Sequence, residues 1–585
     1  MTGENSKEIP LLIYDSHKNK KYKKGRFLGK GSFAHCYEFK DIDTKKILAI
    51  KVFFKSNIKD ENQRKNIYQE VSIQKSLDHI NILRIYNCFE DINNIYMILD
   101  VCKNKSLMEL HIRRKTVTEP EAKYFLKQLV SGMSYLHKNM IIHRDLKLAN
   151  LLLDEKMDIK IGDFGLAAKL LSKDEKRRSL CGTPNYVAPE ILLRIDYSFE
   201  VDIWSIGCVL YTLLVGKPPF ECSSVKGTYS NIKNNYYTIP STVNKKAQFL
   251  IRNLLHPEPS RRPLIDQILS YDFLKYGYIP SRLPVSCLTM EPKFEYLLKP
   301  SNNKLNNVMT RTNEEPLSSC HEKRTSNDKN NDNLRNLYRQ LQDLLSKNIK
   351  NISGNLMDET LHPASSPVYF VSKWADYTEK YGLGYQLSDN SIGILFKDDT
   401  RIIVDAANSQ IQYFDYDNKE FYFTRTTYPE HLTKKVKLIE LFKNYMMNHL
   451  IRAADPMPKD GDEFARLPVL KTWIRNEVAI ILYLSNGTLQ CNFFDDHVKI
   501  ILCPYMKAVT VIDSEKNLKT YKFKLISEFG CVPDILTKLK FIKETIYKMI
   551  RPKRKYIETN FVNNDDSDEM LLNYLIPTKN RKIEY

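Results

Sequence analysis

His143-Arg144-Asp145-Leu146-Lys147-Leu148-Ala149-Asn150 is followed by Asp163-Phe164-Gly165 and then by Ala188-Pro189-Glu190. This ordered set supplies a carboxylate able to act as a base, an amide and a second carboxylate able to ligate a hard metal ion, and a lysine to meet an anion. Those are the parts that phosphoryl transfer needs. Any one of these motifs arises by chance. All three in this order, downstream of a glycine loop and an apolar-flanked lysine, do not. The glycine loop is Gly29-Lys30-Gly31-Ser32-Phe33-Ala34 after a β-rich run, where small residues let backbone N–H groups approach phosphates. The lysine is Lys51. Its flanks Leu48, Ala49, Ile50, Val52 and Phe53 separate it from a solvated surface lysine.

The bulk numbers bound the rest. At 585 residues the chain is too long for one core and should hold two to four domains. With 42% hydrophobic and 27% charged residues it reads as a soluble globular protein with some disordered linker. A net charge of +19 suits anionic partners such as nucleic acid, acidic peptides or phosphopeptides, although Lys/Asn compositional bias explains much of the excess. Eleven cysteines without a CxxC pair point to a reduced cytosolic or nuclear setting. The polar Met1–Pro10 segment lacks the apolar core of a signal peptide. The longest apolar run, Ile203–Val215, is too short to span a bilayer.

Along the chain, residues 1–22 read as a flexible leader. Residues 23–100 alternate β-rich runs with one helix (Arg64–Leu77), and 105–275 are mainly helical. Asn, Lys, Ser and Asp dominate 301–333, so 276–333 reads as a largely disordered linker. Leu334, Leu337, Leu341, Leu344 and Leu345 have helical spacing. An internal repeat follows. Asp398-Asp399-Thr400-Arg401-Ile402-Ile403 resembles Asp495-Asp496-His497-Val498-Lys499-Ile500-Ile501, and Pro429–Lys434 resembles Pro533–Lys538. Each unit runs strands first, then a helix (Leu432–Met447 and Ile535–Ile550), and Asn486-Gly487 marks a hairpin turn. The tail 551–585 is charged, with Arg551-Pro552-Lys553-Arg554-Lys555 read equally as an import patch or a solvated run.

From about residue 23 to 275 the chain resembles a eukaryotic protein kinase. The resemblance implies a bilobal fold using ATP and Mg²⁺, with Asp145 as base, Lys147 on the γ-phosphate, and Asn150 and Asp163 as metal ligands. Lys51 contacts the α/β-phosphates and pairs with Glu70. The nucleotide site comprises Leu28, Gly29, Lys30, Gly31, Ser32, Phe33, Ala34, Cys36, Ala49, Lys51, Leu99, Asp100, Cys102 and Leu152. Backbone groups of Asp100 and Cys102 read adenine, and Leu152 stands where close relatives often carry an aromatic. Lys147 and Gly182-Thr183-Pro184 match the serine/threonine class. Glu190 is expected to pair with Arg262, while Asp202 and Trp204 read as core. Ser179, after Lys176-Arg177-Arg178, matches the activating phosphosite, with Arg144 as its partner.

The loop Phe27–Glu38, Ser106–Ala122, Leu180–Glu190 and Gly277–Leu288 are similar to polo-like kinases in particular. The repeated half resembles tandem polo boxes through Val371-Ser372-Lys373-Trp374, Tyr381–Tyr385 and Asn492–His497. The implied fold class is multidomain α+β: a bilobal kinase fold followed by two polo-box domains, each an antiparallel six-stranded sheet plus a helix. The implied boundaries are kinase 23–275, a cap helix and connection 334–367, box 1 at 368–450, an inter-box linker 451–467 and box 2 at 468–550. Trp374, Leu450, His497 and Lys499 match phosphopeptide-binding positions. Retention of Trp374, His497 and Lys499 speaks against the centriolar subtype. Expected partners are phosphorylated substrates, docking proteins carrying Ser-phosphoSer/Thr and an upstream kinase, with no membrane or nucleic acid and a monomeric state. The expected setting is mitosis, in nucleus and cytoplasm and at centrosome, spindle-pole or kinetochore equivalents. Rival readings are a phosphopeptide-binding scaffold with an inactive kinase, a basophilic or calcium-regulated kinase with an unrelated C-terminal half, and, more remotely, a nucleic-acid protein.

Overall fold

The computed structural model describes residues 9–31, 34–172, 174–294, 326–352, 361–450 and 465–550. Ser32, Phe33, most of the 301–333 stretch and the 551–585 tail lie outside the described residues. The chain divides into two units, Met1–Cys320 and His321–Tyr585.

The first unit begins with a six-stranded antiparallel sheet. Its order across the sheet is Leu12–Asp15, Lys20–Lys30, Ala34–Asp41, Ile47–Phe54, Asn94–Leu99 and Ile85–Glu90. The β-branched and aromatic run of Ile47–Phe54 suits a central strand. Against this sheet packs the helix Glu61–Lys75, whose Ile67 and Val71 meet Phe53, Ile95 and Met97. The helix starts three residues before the expected Arg64 because Asp60 caps it, accepting from the Gln63 N–H at 2.8 Å. It stops at Lys75 instead of Leu77.

The leader is corrected in its second half. Leu12–Asp15 pairs with Lys20–Lys30, with Ile13 and Asp15 buried. Asp15 is further held by Asn87, and Lys18 donates to the Tyr86 carbonyl at 3.2 Å. Leu12 and Tyr14 face solvent on this edge strand, while its one charged residue, Asp15, is buried.

Helices Leu107–Arg114, Glu119–Lys138, Glu200–Val215, Val225–Lys233 and Lys245–Leu254 build the second lobe. The first two begin in capping boxes, Ser106 with Glu109 and Thr118 with Glu121. Glu200–Val215 is buried on nearly every side. Its Trp204 stacks on Phe220 at 5.2 Å, with the Arg262 guanidinium 5.0 Å from the indole. Arg262 forms the bidentate pair with Glu190, at 2.6 and 2.9 Å, both residues buried. Glu190→Ala should therefore cost about 3–5 kcal/mol by stranding a buried cation. Calorimetry on the full chain would register this as a lower first transition, and an unchanged transition would mean water already screens the pair.

Residues 276–294 also differ from the expected linker. Arg114, paired with Glu121, donates to the Cys287 carbonyl at 2.9 Å, and Lys123 Nζ donates to the Tyr276 carbonyl at 3.0 Å. Leu283, Cys287, Leu288 and Phe294 are buried. This stretch is part of the lobe's packing.

The second unit holds two six-stranded antiparallel meanders, from Val371–Tyr377 to Glu420–Thr424 and from Leu470–Arg475 to Leu518–Lys522. Both first strands carry a register shift at the same place, Val371/Lys373 and Leu470/Thr472, so the repeat extends to its irregularities. Helix Thr433–His449 lays Val436, Ile439, Phe442 and Met446 on the first sheet. A Cβ at Gly384 would lie 2.2 Å from Phe442 Cδ1, so this strand needs glycine. The second sheet receives Pro533–Ile550 and, before it, an unforeseen short helix Phe523–Phe529. Asn486-Gly487 makes the expected turn, with Gly487 at φ 84°. The helix predicted from Leu334 starts at Ser326 and ends at Leu345. Leu334, Leu337, Leu341 and Leu344 join the core of the second repeat with Leu539, Ile542 and Ile546.

Polar contacts tie the two repeats together. Gln490 exchanges two hydrogen bonds with the Val371 backbone, at 2.8 and 2.9 Å, and Arg401 Nε donates to the Leu470 carbonyl at 3.0 Å. Among the described residues no helix is long and apolar enough to cross a membrane.

Candidate functional site

Strand pairing sets Lys51 opposite both Cys36 and Met97 in the sheet of the first unit. Lys51 Nζ lies 2.7 Å from Glu70 Oε1 and 3.6 Å from Asp163 Oδ1. Burial alone would lower the Lys51 ammonium, but the Glu70 and Asp163 carboxylates raise it overall. It is therefore a fixed cation. Around it Ala34, Ala49, Leu99, Cys102 and Leu152 share one apolar cluster, the slot a purine needs. Leu28 and Gly29 are half-buried, Lys30 is exposed, and Gly31 N–H closes the loop onto the Ala34 carbonyl at 2.8 Å. The Asp100 N–H is committed to the Arg84 carbonyl at 3.1 Å, so of the Asp100 backbone groups only the carbonyl is left to meet a purine.

Below the slot, Asp145 is buried within a closed set of bonds. Its Oδ2 accepts from Lys147 Nζ at 2.6 Å and from Asn150 Nδ2 at 3.2 Å, and its Oδ1 accepts from the Thr183 hydroxyl at 2.7 Å. Lys147 Nζ also reaches Thr183 Oγ1 at 3.0 Å. Asn150 spends its amino group on Asp145, which leaves its oxygen for a metal ion. Burial would raise the Asp163 carboxyl, but Lys51, His143 and Lys147 hold it below the usual range, so it is ionised at neutral pH. Arg144 and Asp163 both adopt left-handed φ, 66° and 63°, as residues held against local preference at working sites do.

Among the described residues no cluster of three or more His, Cys, Asp or Glu could hold a metal unaided. The Asn150 and Asp163 oxygens fit a hard divalent ion whose other ligands come from phosphate and water. The inward Phe164 keeps Asp163 facing Lys51. Its buried ring packs 5.2 Å from His143, and His143 Nε2 lies 3.1 Å from the Gly162 carbonyl.

Two residues here escaped the sequence reading. Thr183 was seen only as a class marker, yet it bridges Asp145 and Lys147. Asp202 was assigned to the core. It is buried, and it accepts from the His143 N–H at 3.0 Å and the Arg144 N–H at 2.9 Å, with His137 Nε2 3.0 Å away. It fixes the backbone of the catalytic loop. Its only sequence signal was a charge placed inside an apolar helix. Burial would raise its carboxyl, but His137 and the loop amides lower it overall. A depressed carboxyl adds stability above the ordinary carboxylate range and loses it as pH falls through the lowered value. Asp202→Asn should cost about 3 kcal/mol and weaken the acid dependence of unfolding. Melting curves at pH 4 and 7 check this, and parallel pH dependence in both proteins would count against it.

The segment after Phe164 brings Ser179 to Arg144, whose Nη1 donates to Ser179 Oγ at 2.8 Å and whose Nε donates to the Leu166 carbonyl at 2.6 Å.

In the second unit Arg475 lies 5.5 Å from the Trp374 ring and 5.6 Å from the Phe494 ring, and 3.5 Å from Asp376. Trp374, from the first repeat, is thereby brought beside the Phe494–His497 turn of the second. Lys499 Nζ donates to the His497 carbonyl at 3.3 Å. Lys373 Nζ donates to the Met446 carbonyl at 2.6 Å, which docks the last turn before Leu450 on the Trp374 strand. Trp374 thus meets the turn that carries His497 and leads into Lys499 at the junction of the two repeats, while Leu450 packs against the core of the first repeat.

The protein kinase domain family matches residues 22–274, and the POLO box duplicated region matches 379–436 and 476–539. Serine/threonine-protein kinase PLK1 of Xenopus laevis is 47% identical over 556 residues, covering 93% of each chain. Serine/threonine-protein kinase plk-1 of Caenorhabditis elegans is 45% identical over 574 residues, covering 93% of this chain and 88% of that one. Serine/threonine-protein kinase polo of Drosophila melanogaster is 43% identical over 567 residues, covering 94% and 98%. With a cleft of this geometry and both domain types present, the chain belongs to the polo-like family of serine/threonine protein kinases.

Proposed function

We propose that Asp145 accepts the proton of a substrate serine or threonine hydroxyl while Lys147 meets the γ-phosphoryl and Lys51 orients the α/β-phosphates of ATP. Thr183 holds Asp145 and Lys147 in register, and Glu70 holds Lys51. Asn150 and Asp163 are the ligands for Mg²⁺, which would neutralise phosphate charge when bound. The observation that carries this reading is the joint geometry of the cleft: a Lys51–Glu70 pair reaching Asp163, beside a closed Asp145–Lys147–Thr183 set. Mg²⁺-dependent transfer from ATP to casein tests it, with Asp145→Asn as the control. Absent transfer alongside tight phosphopeptide binding would leave a docking scaffold.

The repeats serve as the docking module. His497 and Lys499 hold a phosphate by charge-assisted bonds, Trp374 packs on the residue before it, and the Leu450 backbone bonds the peptide. Docking raises the local concentration of substrates already phosphorylated. Phosphorylation of Ser179 by an upstream basophilic kinase activates the enzyme through Arg144. The role is mitotic progression, in nucleus and cytoplasm and at centrosome, spindle-pole or kinetochore equivalents. Imaging a tagged chain through division tests that placement.

Lys51→Met should reduce transfer at least tenfold and raise the KM for ATP, since it removes the cation that Glu70 and Asp163 hold. Steady-state kinetics check it, and a near-normal KM would move phosphate orientation to another group.

A further inference from the structure

Tyr197 belongs to none of the motifs above, yet its side chain completes the activation segment. It is buried, while Ser179 is exposed. The phenol donates to the Ser179 carbonyl at 2.9 Å, lies 2.9 Å from Ser179 Oγ, and accepts from Arg144 Nη1 at 3.3 Å. A phenol has one proton to give and two lone pairs to fill. Here the proton goes to the carbonyl, and the lone pairs receive the serine hydroxyl and the guanidinium. Arg144 meets no carboxylate among the described residues, so its charge faces only neutral oxygens.

The backbone repeats the grip. Arg177 and Tyr197 exchange N–H to carbonyl bonds in both directions at 2.9 Å. The side chain of Arg177 is engaged by Glu175 at 2.8 Å and the Lys169 carbonyl at 3.0 Å, and Arg178 Nε donates to the Arg194 carbonyl at 2.8 Å. Arg177 and Arg178 thus bond back onto the lobe, while Lys176 and the outer part of Arg178 stay exposed.

We propose that Tyr197 is a positioning residue that latches unmodified Ser179 onto Arg144. It gives the enzyme an ordered segment before any phosphate is present and holds the exposed Ser179 in a bonded conformation that an upstream kinase would have to release. Tyr197 touches neither nucleotide nor reacting hydroxyl; it acts through Arg144, the neighbour of Asp145. A phosphate on Ser179 would supply its own charge-assisted bonds to Arg144 and make the latch redundant. This second half rests on Ser179 being the activating site.

The test is Tyr197→Phe in the full chain, which removes one oxygen and keeps the ring. Both proteins are dephosphorylated, verified by intact mass, and assayed for kcat, KM for ATP and hydrogen exchange over residues 177–183. The expected result is a kcat about fivefold lower, the worth of one hydrogen bond, with unchanged KM and faster exchange. An added basophilic kinase should phosphorylate Ser179 faster in the variant, and stoichiometric phosphorylation should abolish the difference in kcat. Equal kcat and equal exchange in the unphosphorylated proteins would overturn the latch. A deficit of the same size after phosphorylation would also overturn it, in favour of plain packing. If phosphate on wild-type Ser179 leaves activity unchanged, the phosphosite reading fails instead, and the latch stands or falls on the unphosphorylated pair.

Discussion

Asp145→Asn should lower transfer to casein by roughly a hundred- to ten-thousandfold, the usual contribution of a positioned general base. The substitution keeps size and shape, so the loss is chemical. It also breaks the local bonding in a specific way. Both carboxylate oxygens accept: Oδ2 from Lys147 and Asn150, Oδ1 from Thr183. An amide can present an oxygen to only one side and must turn its amino group towards a donor on the other. In one orientation Thr183 loses its acceptor; in the other Lys147 and Asn150 lose theirs. Lys147 then keeps only the Thr183 hydroxyl as partner. The effect should fall on kcat, because Lys51, Glu70 and the apolar slot proposed to bind nucleotide are separate side chains. Initial rates at saturating ATP, with phosphopeptide binding by fluorescence polarisation as a control, measure it. A variant within tenfold of wild type would remove Asp145 from the role of base.

What was legible in the sequence divides along physical lines. Short motifs fix local backbone shape around a reacting centre, so Lys51, Asp145, Asn150 and Asp163 were visible as residues before any fold existed, and the structure gathers them into one cleft. The spacing of Leu334–Leu344 announced its helix because burial on one face leaves a period; the strands of the repeated half, many buried along their whole length, showed through the likeness of the two copies and the Asn486-Gly487 turn. Tyr197, Thr183 and Asp202 act across long sequence separations, and a lone hydroxyl or carboxylate carries no period to betray its partner. The strand Leu12–Asp15 was hidden by its length: four residues that pair only with Lys20–Lys30 at the sheet edge are too few to show a period. The 276–294 stretch was hidden differently. Its place depends on Arg114 and Lys123 reaching its carbonyls, and nothing in its own composition reports donors elsewhere in the chain.

His497→Ala combined with Lys499→Met should weaken phosphopeptide binding by at least a hundredfold and leave basal transfer to an unprimed peptide unchanged. Two charge-assisted bonds to a phosphate, each worth about 1.5–3 kcal/mol, carry that size of effect. The two residues are close enough to act together, since Lys499 Nζ already reaches the His497 carbonyl at 3.3 Å. The pH dependence adds a second check. Burial, and then the neighbouring Lys516 charge, lower the Lys499 ammonium below the ordinary lysine range. Lys499 therefore loses its proton at a lower pH than a free lysine, so wild-type affinity should decline early on the alkaline side. On the acid side affinity should fall as the ligand phosphate takes up a proton near its second pKa of about 6. The wild-type profile is thus a plateau bounded by the ligand on one side and Lys499 on the other. Lys499→Met alone should flatten the alkaline limb while leaving the acid one. Isothermal titration with a Ser-phosphoThr peptide across pH 5 to 10 resolves both limbs. Full affinity in the double variant would move the phosphate site away from the junction of the two repeats, and with it the case that Trp374 and His497 serve one ligand.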